Sequence, residues 1–252
     1  MFEHVVTLGN ALRGDWDASE AATARVIDQH GFAHLPDAVD ADWLALVRGY
    51  VDSLATADAH EVMHRDPGLR EDPVIGALVQ DPALLDFLEG VAAELYPSGD
   101  PADRDVDIAL RVINGPDPLD RPLWFHYDAT VLTVVLPIEM PDAVPGQSGE
   151  LIMCTNSRPF RRTAVANVIE KSVVQGDRYR RRFRRRLAGC EPDVVALRPG
   201  DVYLFCGYRS YHATLPCPPG RRRVTLVLHY KDVHAGSRLL RNAKSIRRSV
   251  AR

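Results

Sequence analysis

The sequence predicts a mainly β fold with flanking helices: a double-stranded β-helix (jelly roll) core preceded by bracing helices at the N-terminal end. Three observations predict it. The first hundred residues carry helical periodicity. From Val106 to His229, short β-type runs alternate with Pro, Gly and Asp. A single helical stretch, from about Ala164 to Leu187, interrupts that series.

The elements follow in order. Asp17 to Gln29 has an acidic start and meets a stop at His30-Gly31. A short apolar piece, Gly31 to Leu35, precedes Pro36. Asp40 to Leu54 is amphipathic, with Trp43, Leu44, Leu46, Val47, Tyr50 and Val51 as its apolar positions. A third helix covers roughly Pro82 to Tyr96, ahead of a Pro-Ser-Gly-Asp turn. The β runs are DIALRVIN, LWFHY, TVLTVVLPI, GELIMC, DVVAL, DVYLF and RVTLVLHY. Residues 236–250 read as a short basic helix. The chain, 1–252, is read as one domain: a helical part over 1–100, then a jelly-roll core over about 105–232.

Composition narrows the function classes. With 46% hydrophobic and 26% charged residues the chain is neither disordered nor fibrous. A net charge of -3 asks for neither nucleic acid nor an anionic membrane. Met1 to Asn10 has no basic start and no continuous apolar stretch, and nowhere are about twenty residues apolar enough to span a bilayer. Cys154, Cys190, Cys206 and Cys217 lack C-x-x-C spacing, which points to reduced thiols in a cytoplasmic protein rather than to zinc.

The chemistry concentrates in three places. In Trp124-Phe-His-Tyr-Asp128 an extended backbone puts residues two apart on one face, so His126 and Asp128 can share a cavity. By itself His-x-Asp is a weak signal. The second place is Leu197-Arg-Pro-Gly-Asp-Val-Tyr-Leu-Phe205, a tight turn into an apolar strand, followed by a strand that carries His212. His126, Asp128 and His212 together form a two-histidine, one-carboxylate set that holds Fe(II) on one octahedral face and leaves positions open. Third, Arg223 lies eleven residues after His212 and opens an alternating strand in which Arg223, Thr225 and Val227 share a face. A guanidinium there suits bidentate capture of a carboxylate, with the Thr225 hydroxyl adding one hydrogen bond.

This ordered set resembles the Fe(II)/2-oxoglutarate oxygenase superfamily, and within it the phytanoyl-CoA dioxygenase-like branch. The likeness covers roughly Gly31 to Tyr230, and Gly31-Phe-Ala-His-Leu-Pro-Asp resembles the family's opening strand. The resemblance implies iron on His126, Asp128 and His212. It also implies 2-oxoglutarate as cosubstrate, held at its far carboxylate by Arg223 with Thr225, and O2 as oxidant. The implied reaction is hydroxylation of an unactivated C–H bond of a small metabolite, amino acid or natural-product intermediate, with release of succinate and CO2. Desaturation, ring formation and epimerisation would use the same residues. The chain departs from the family in its His212-Ala-Thr, where relatives often carry Gly or Ser, and its Arg221-Arg222-Arg223 run leaves the inward register open between Arg222 and Arg223. Asp128 disfavours the halogenating relatives, which replace that carboxylate.

Other residues carry paired readings. Arg111 and Asn114, on the strand before the metal segment, reach substrate or form surface ion pairs. Trp124 is a pocket wall or, more safely, a packed core residue. Glu150 binds a substrate ammonium or is an exposed strand end. His229 is read as structural. The run Arg178 to Arg186 interleaves arginine with aromatics, a pattern that can track phosphates or take an anionic or carrier-bound substrate; at helical spacing Tyr179, Phe183 and Leu187 instead form an anchoring stripe. A cupin-like metal-binding protein or isomerase without 2-oxoglutarate is the rival reading of the whole.

Overall fold

The structure, a computed structural model, describes residues 19–54, 61–65, 68–114, 124–161, 163–174, 176–186, 192–218 and 220–235. The expected basic helix over 236–250, Leu187 and Cys190 lie outside them.

Helix α1 (Glu20–His30) starts where the Ser19 hydroxyl accepts the Ala22 amide and ends on Gly31, whose left-handed φ of 89° turns its amide back to the Ile27 carbonyl. Strand β1 (Phe32–Leu35) follows. Helix α2 (Ala41–Ser53) is capped by Asp40 and buries Trp43, Leu44, Val47 and Val51, while Leu46 stays exposed. Next come β2 (Glu61–Arg65), α3 (Gly68–Glu71) and α4 (Ile75–Gln80), pieces too short for periodicity to register in the sequence. Asp81 caps α5 (Pro82–Leu95), with proline in its first turn.

The β series begins with β3 (Val106–Asn114), β4 (Thr130–Glu139) and β5 (Leu151–Cys154). The helical interruption is two helices, α6 (Ala164–Val174) and α7 (Asp177–Arg186), with Gly176 between them accepting the start of the second. Then follow β6 (Asp193–Val195), β7 (Val202–Phe205), β8 (Tyr211–Thr214) and β9 (Arg222–Asp232). Among the described residues, one sheet has six strands in the order β1-β7-β4-β9-β3-β2, and the other has three in the order β6-β5-β8. The pairings are antiparallel.

Alternation along the large sheet separates two cores. Val134, Leu136, Ile138, Val224, Leu226, Leu228 and Tyr230 meet the helices through Val47, Leu78, Leu84 and Leu88. The opposite face presents Val135, Tyr203 and Phe205 to Leu151, Met153, Val195 and Leu197 of the small sheet's side. Strand β9 therefore divides its side chains, sending Arg223, Thr225, Val227 and His229 toward the small sheet.

The expected strand LWFHY is corrected. Trp124 to Asp128 is extended, but only His126 forms a bridge, with His212. The ladder stops there because the Asp128 amide donates to the Gly207 carbonyl instead of continuing along β8. Cys206 is buried, and the buried Cys217 thiol donates to the Arg221 carbonyl at 3.3 Å.

The Pro-Gly-Asp turn has a structural job. Asp201 is buried and accepts from the Asp37 amide at 2.9 Å and from His34 Nε2 at 2.8 Å, so it ties β1 to β7. Burial pushes this carboxyl up, but these donors and Arg198 outweigh it and hold it below the usual range. A carboxyl whose folded pKa is depressed stabilises the fold above its unfolded pKa, and that contribution is lost as pH falls through the folded value. Asp201→Asn is expected to cost about 2 kcal/mol in urea unfolding at neutral pH. The gap from wild type should close as the pH is taken below the ordinary carboxyl range of about 4.

Candidate metal centre

His126 and His212 exchange both backbone hydrogen bonds, His126 N to His212 O at 2.9 Å and His212 N to His126 O at 3.0 Å. Directly paired residues point to the same side of a ladder, and the two imidazoles stand with centroids 4.3 Å apart. Each ring is oriented from behind: His126 Nδ1 lies 3.0 Å from the Trp124 carbonyl and His212 Nδ1 lies 3.0 Å from the Ser210 carbonyl. A carbonyl only accepts, so each Nδ1 carries a proton and each Nε2 is the ring nitrogen turned toward Asp128.

Both Nε2 atoms face Asp128. His126 Nε2 is 3.5 Å from Asp128 Oδ1 and His212 Nε2 is 3.5 Å from Oδ2. Ligand atoms of the three residues all lie within 4.8 Å of one another, spacing that suits a single divalent ion. Desolvation and the neighbouring His212 lower His126 to about 4 against the pull of Asp128, so the ring is a neutral donor near pH 7. Burial raises the Asp128 carboxyl, but His212, His229, His126 and the Thr133 hydroxyl together hold it well below the ordinary range. A neutral imidazole at His126 and an ionised Asp128 carboxylate are protonation states that suit metal binding.

A second layer fixes the carboxylate, and here the sequence reading fell short. The Thr133 hydroxyl donates to Asp128 Oδ2, and His229, in register with Thr133, brings Nδ1 to 3.4 Å from that hydroxyl and 3.8 Å from Oδ2. His229 shares the inward face of Arg223, the one signal that could have placed it here. Gly207 leaves room: a Cβ on it would come within 2.4 Å of Asp128 Oδ2 and 2.1 Å of the Thr133 hydroxyl.

Farther along the inner face, Arg223 is buried with its stem against Gly149, where a Cβ would meet Arg223 Cδ at 2.4 Å. Arg222 points the other way, to Glu139 Oε2 at 2.9 Å from its Nε and to Asp52 Oδ1 at 2.7 Å. Thr225 is buried, and its hydroxyl has no hydrogen-bond partner among the described residues. A buried hydroxyl in that condition is costly, and beside a guanidinium it fits an incoming carboxylate oxygen. Arg111 is in register with Thr225 and reaches the Thr214 hydroxyl on β8 at 3.2 Å.

The remaining expected residues fall elsewhere. Asn114 is in register with Arg222, on the helix-side alternation rather than the inner one. Glu150 is buried and not an exposed strand end; its carboxylate accepts the Gly146 amide at 2.6 Å and the Ser148 amide at 2.9 Å, which closes its own loop and leaves it poorly placed for an ammonium. Trp124 is 37% exposed, which corrects the core-packing expectation: its ring is covered by Arg180, 3.6 Å away. Arg180 in turn is buried, whereas Arg178 is exposed.

No family model and no curated protein matches the sequence. Solved structures do. The epimerase SnoN in complex with Fe3+, alpha ketoglutarate and nogalamycin RO is 16% identical, with a TM-score of 0.59 over 86% of this chain and 84% of that one. A Pseudomonas putida prolyl-4-hydroxylase is 14% identical, with a TM-score of 0.53 over 84% and 93%. HygX from Streptomyces hygroscopicus, with nickel, 2-oxoglutarate and hygromycin B bound, is 13% identical, with a TM-score of 0.52 over 84% and 87%. The chain has the fold of the 2-oxoglutarate/Fe(II) oxygenases. Within that fold, this chain brings together His126, Asp128 and His212 and places Arg223 and Thr225 farther along the same inner face.

Two substitutions probe the carboxylate from opposite sides. Thr133→Val removes the hydroxyl donor and Gly207→Ala drives a methyl into the same space. Each is expected to weaken divalent-metal binding about tenfold to a hundredfold, measured by anaerobic Fe(II) titration, with far-UV circular dichroism unchanged. Tight binding in both variants would show that this second layer does not orient Asp128.

Proposed function

We propose that this protein is an Fe(II)/2-oxoglutarate-dependent oxygenase that oxidises a small organic molecule, most simply by hydroxylation. The observation that carries the reading is one inner face holding, in order, the His126–Asp128–His212 cluster, apolar Val135 and Val227, then Thr225 and Arg223. A metal-binding cupin-like protein has no use for a buried guanidinium and an unsatisfied hydroxyl beyond its metal.

His126, Asp128 and His212 hold the iron, and Arg223 with Thr225 binds the far carboxylate of 2-oxoglutarate. Bound together, iron and cosubstrate supply a two-electron oxidation of a C–H bond, consuming O2 and releasing succinate and CO2. The chain's part is positional. Val135 and Val227 keep water from the stretch between metal and guanidinium, which strengthens the ionic contact at Arg223. Thr133 holds one carboxylate oxygen of Asp128, leaving the other toward the metal.

The side chain of His126 is 39% exposed whereas that of His212 is 7% exposed, so substrate approaches from the His126 side. The row Thr225, Arg111, Met63 grades in the same sense: buried, half-buried and then 43% exposed at the sheet edge. Arg111 and Trp124 flank that approach and are the substrate-facing residues of this reading. The substrate is of the kind the neighbours SnoN and HygX are solved with, a small natural product. A cytoplasmic, one-domain enzyme accords with it; among the described residues no helix is long and apolar enough to cross a membrane.

Anaerobic addition of Fe(II) and then 2-oxoglutarate should develop a visible metal-to-ligand charge-transfer band. Asp128→Ala is expected to abolish it. Arg223→Ala should need on the order of a hundredfold more 2-oxoglutarate to reach it. Iron binding with no band at any concentration would replace the oxygenase by the cupin-like reading.

A further inference from the structure

The arginine-rich helix is the strong feature of the sequence that an oxygenase does not explain. In the structure α7 is seated on the metal segment. Arg180 is 5% exposed, its Nε donates to the Phe125 carbonyl at 2.8 Å, and its guanidinium covers the Trp124 ring at 3.6 Å. Phe183, one turn on, meets Phe125 edge-on at 5.0 Å and Tyr211 at 4.9 Å. The Tyr211 hydroxyl donates to the Val174 carbonyl at the end of α6, at 2.5 Å. Phe125 immediately precedes His126, and Tyr211 immediately precedes His212. In an extended chain neighbouring side chains point to opposite faces, so the helices grip the backs of β8 and of the Trp124–Asp128 segment, whose fronts carry the imidazoles.

The two segments do not need this grip equally. His212 lies in β8, paired along its length with β5. His126 has a single bridge, and its ring is aimed by the carbonyl of Trp124. Whatever holds Trp124 and Phe125 therefore sets where His126 points. Arg180 holds both, one by a charge-assisted hydrogen bond and the other by its ring face.

We propose that Arg180 is a positioning residue of the metal centre: from α7 it clamps Trp124 and Phe125 and so fixes the His126 imidazole for metal binding. This rests on the metal reading above. An Arg178 to Arg186 helix built for phosphate contacts would leave metal affinity indifferent to which arginine is removed.

The test is Co(II) titration of the metal-free full-length protein, read in visible d–d absorption, with thermal unfolding of the apo form alongside. Asp128→Ala serves as the control for the site: if it binds as wild type does, the metal reading itself falls, independently of Arg180. With that control lost as expected, Arg180→Gln should bind Co(II) about tenfold to a hundredfold more weakly, with a shifted band. Arg180→Lys, which keeps the charge over Trp124 and one donor, should recover most of the loss. Arg178→Gln, at an exposed position, should match wild type. Should Arg180→Gln fail to fold, Trp124→Leu replaces it, removing the clamped ring and leaving the hydrogen bond; a several-fold loss with unchanged apo melting is expected. Wild-type affinity in the folded clamp variant, or an equal loss in Arg178→Gln, overturns the proposal.

Discussion

The site depends on a single backbone bridge, the exchange of hydrogen bonds between His126 and His212. A hydrogen-bonded antiparallel pair sets its two residues directly opposite on one face. That places two imidazoles 4.3 Å apart. Slip the register by one residue and Tyr127 would take the place of His126, turning an aromatic into the cavity and the ligand out of it. Because the ladder is one bridge long, the register is held from outside it: by the Asp128 amide on Gly207, by Arg180 on Phe125 and by the stacked aromatics behind.

The electrostatics follow from the same pairing. A buried carboxylate alone is costly, and Asp128 is made tolerable by the polar groups packed around it: His212, His229, His126 and Thr133. His126 meets the converse condition: desolvation and its partner ring keep it neutral despite the adjacent anion.

Much of this was legible in the sequence, because the fold class and the ligands rest on short-range signals. Apolar β-type runs bounded by Pro, Gly and Asp located β3, β4, β7 and β9; an acidic start with a Gly31 stop located α1, and an amphipathic run located α2. His126, Asp128, His212 and Arg223 were readable as types at meaningful spacing. What was not legible depends on packing between distant segments. Whether Arg222 or Arg223 turns inward is decided by Glu139 and Asp52 waiting on the other side. Glu150 is claimed by the amides of its own loop. Thr133 and His229 meet Asp128 only because β4 and β9 pair in one register. The helical interruption read as one element since Gly176 is a mild signal within a charged, helix-favouring stretch.

Strand β9 shows why such a site can be stable and specific at once. Its even-numbered residues Val224, Leu226, Leu228 and Tyr230 are buried against the helices, and burying four such side chains stabilises by about 1.5–3 kcal/mol each. Its odd-numbered face carries Arg223, Thr225 and His229, groups that cost stability when desolvated. The apolar face offsets the polar one within a single strand, so the functional groups need no local compensation of their own. The same division separates what each face can vary. A change on the helix side is read as stability, whereas a change at Arg223, Thr225 or Thr133 is read at the site, because those side chains meet the cavity and not the helical core. At the rim the side chains are more open: Met63, Trp124 and His126 are each more than a third exposed.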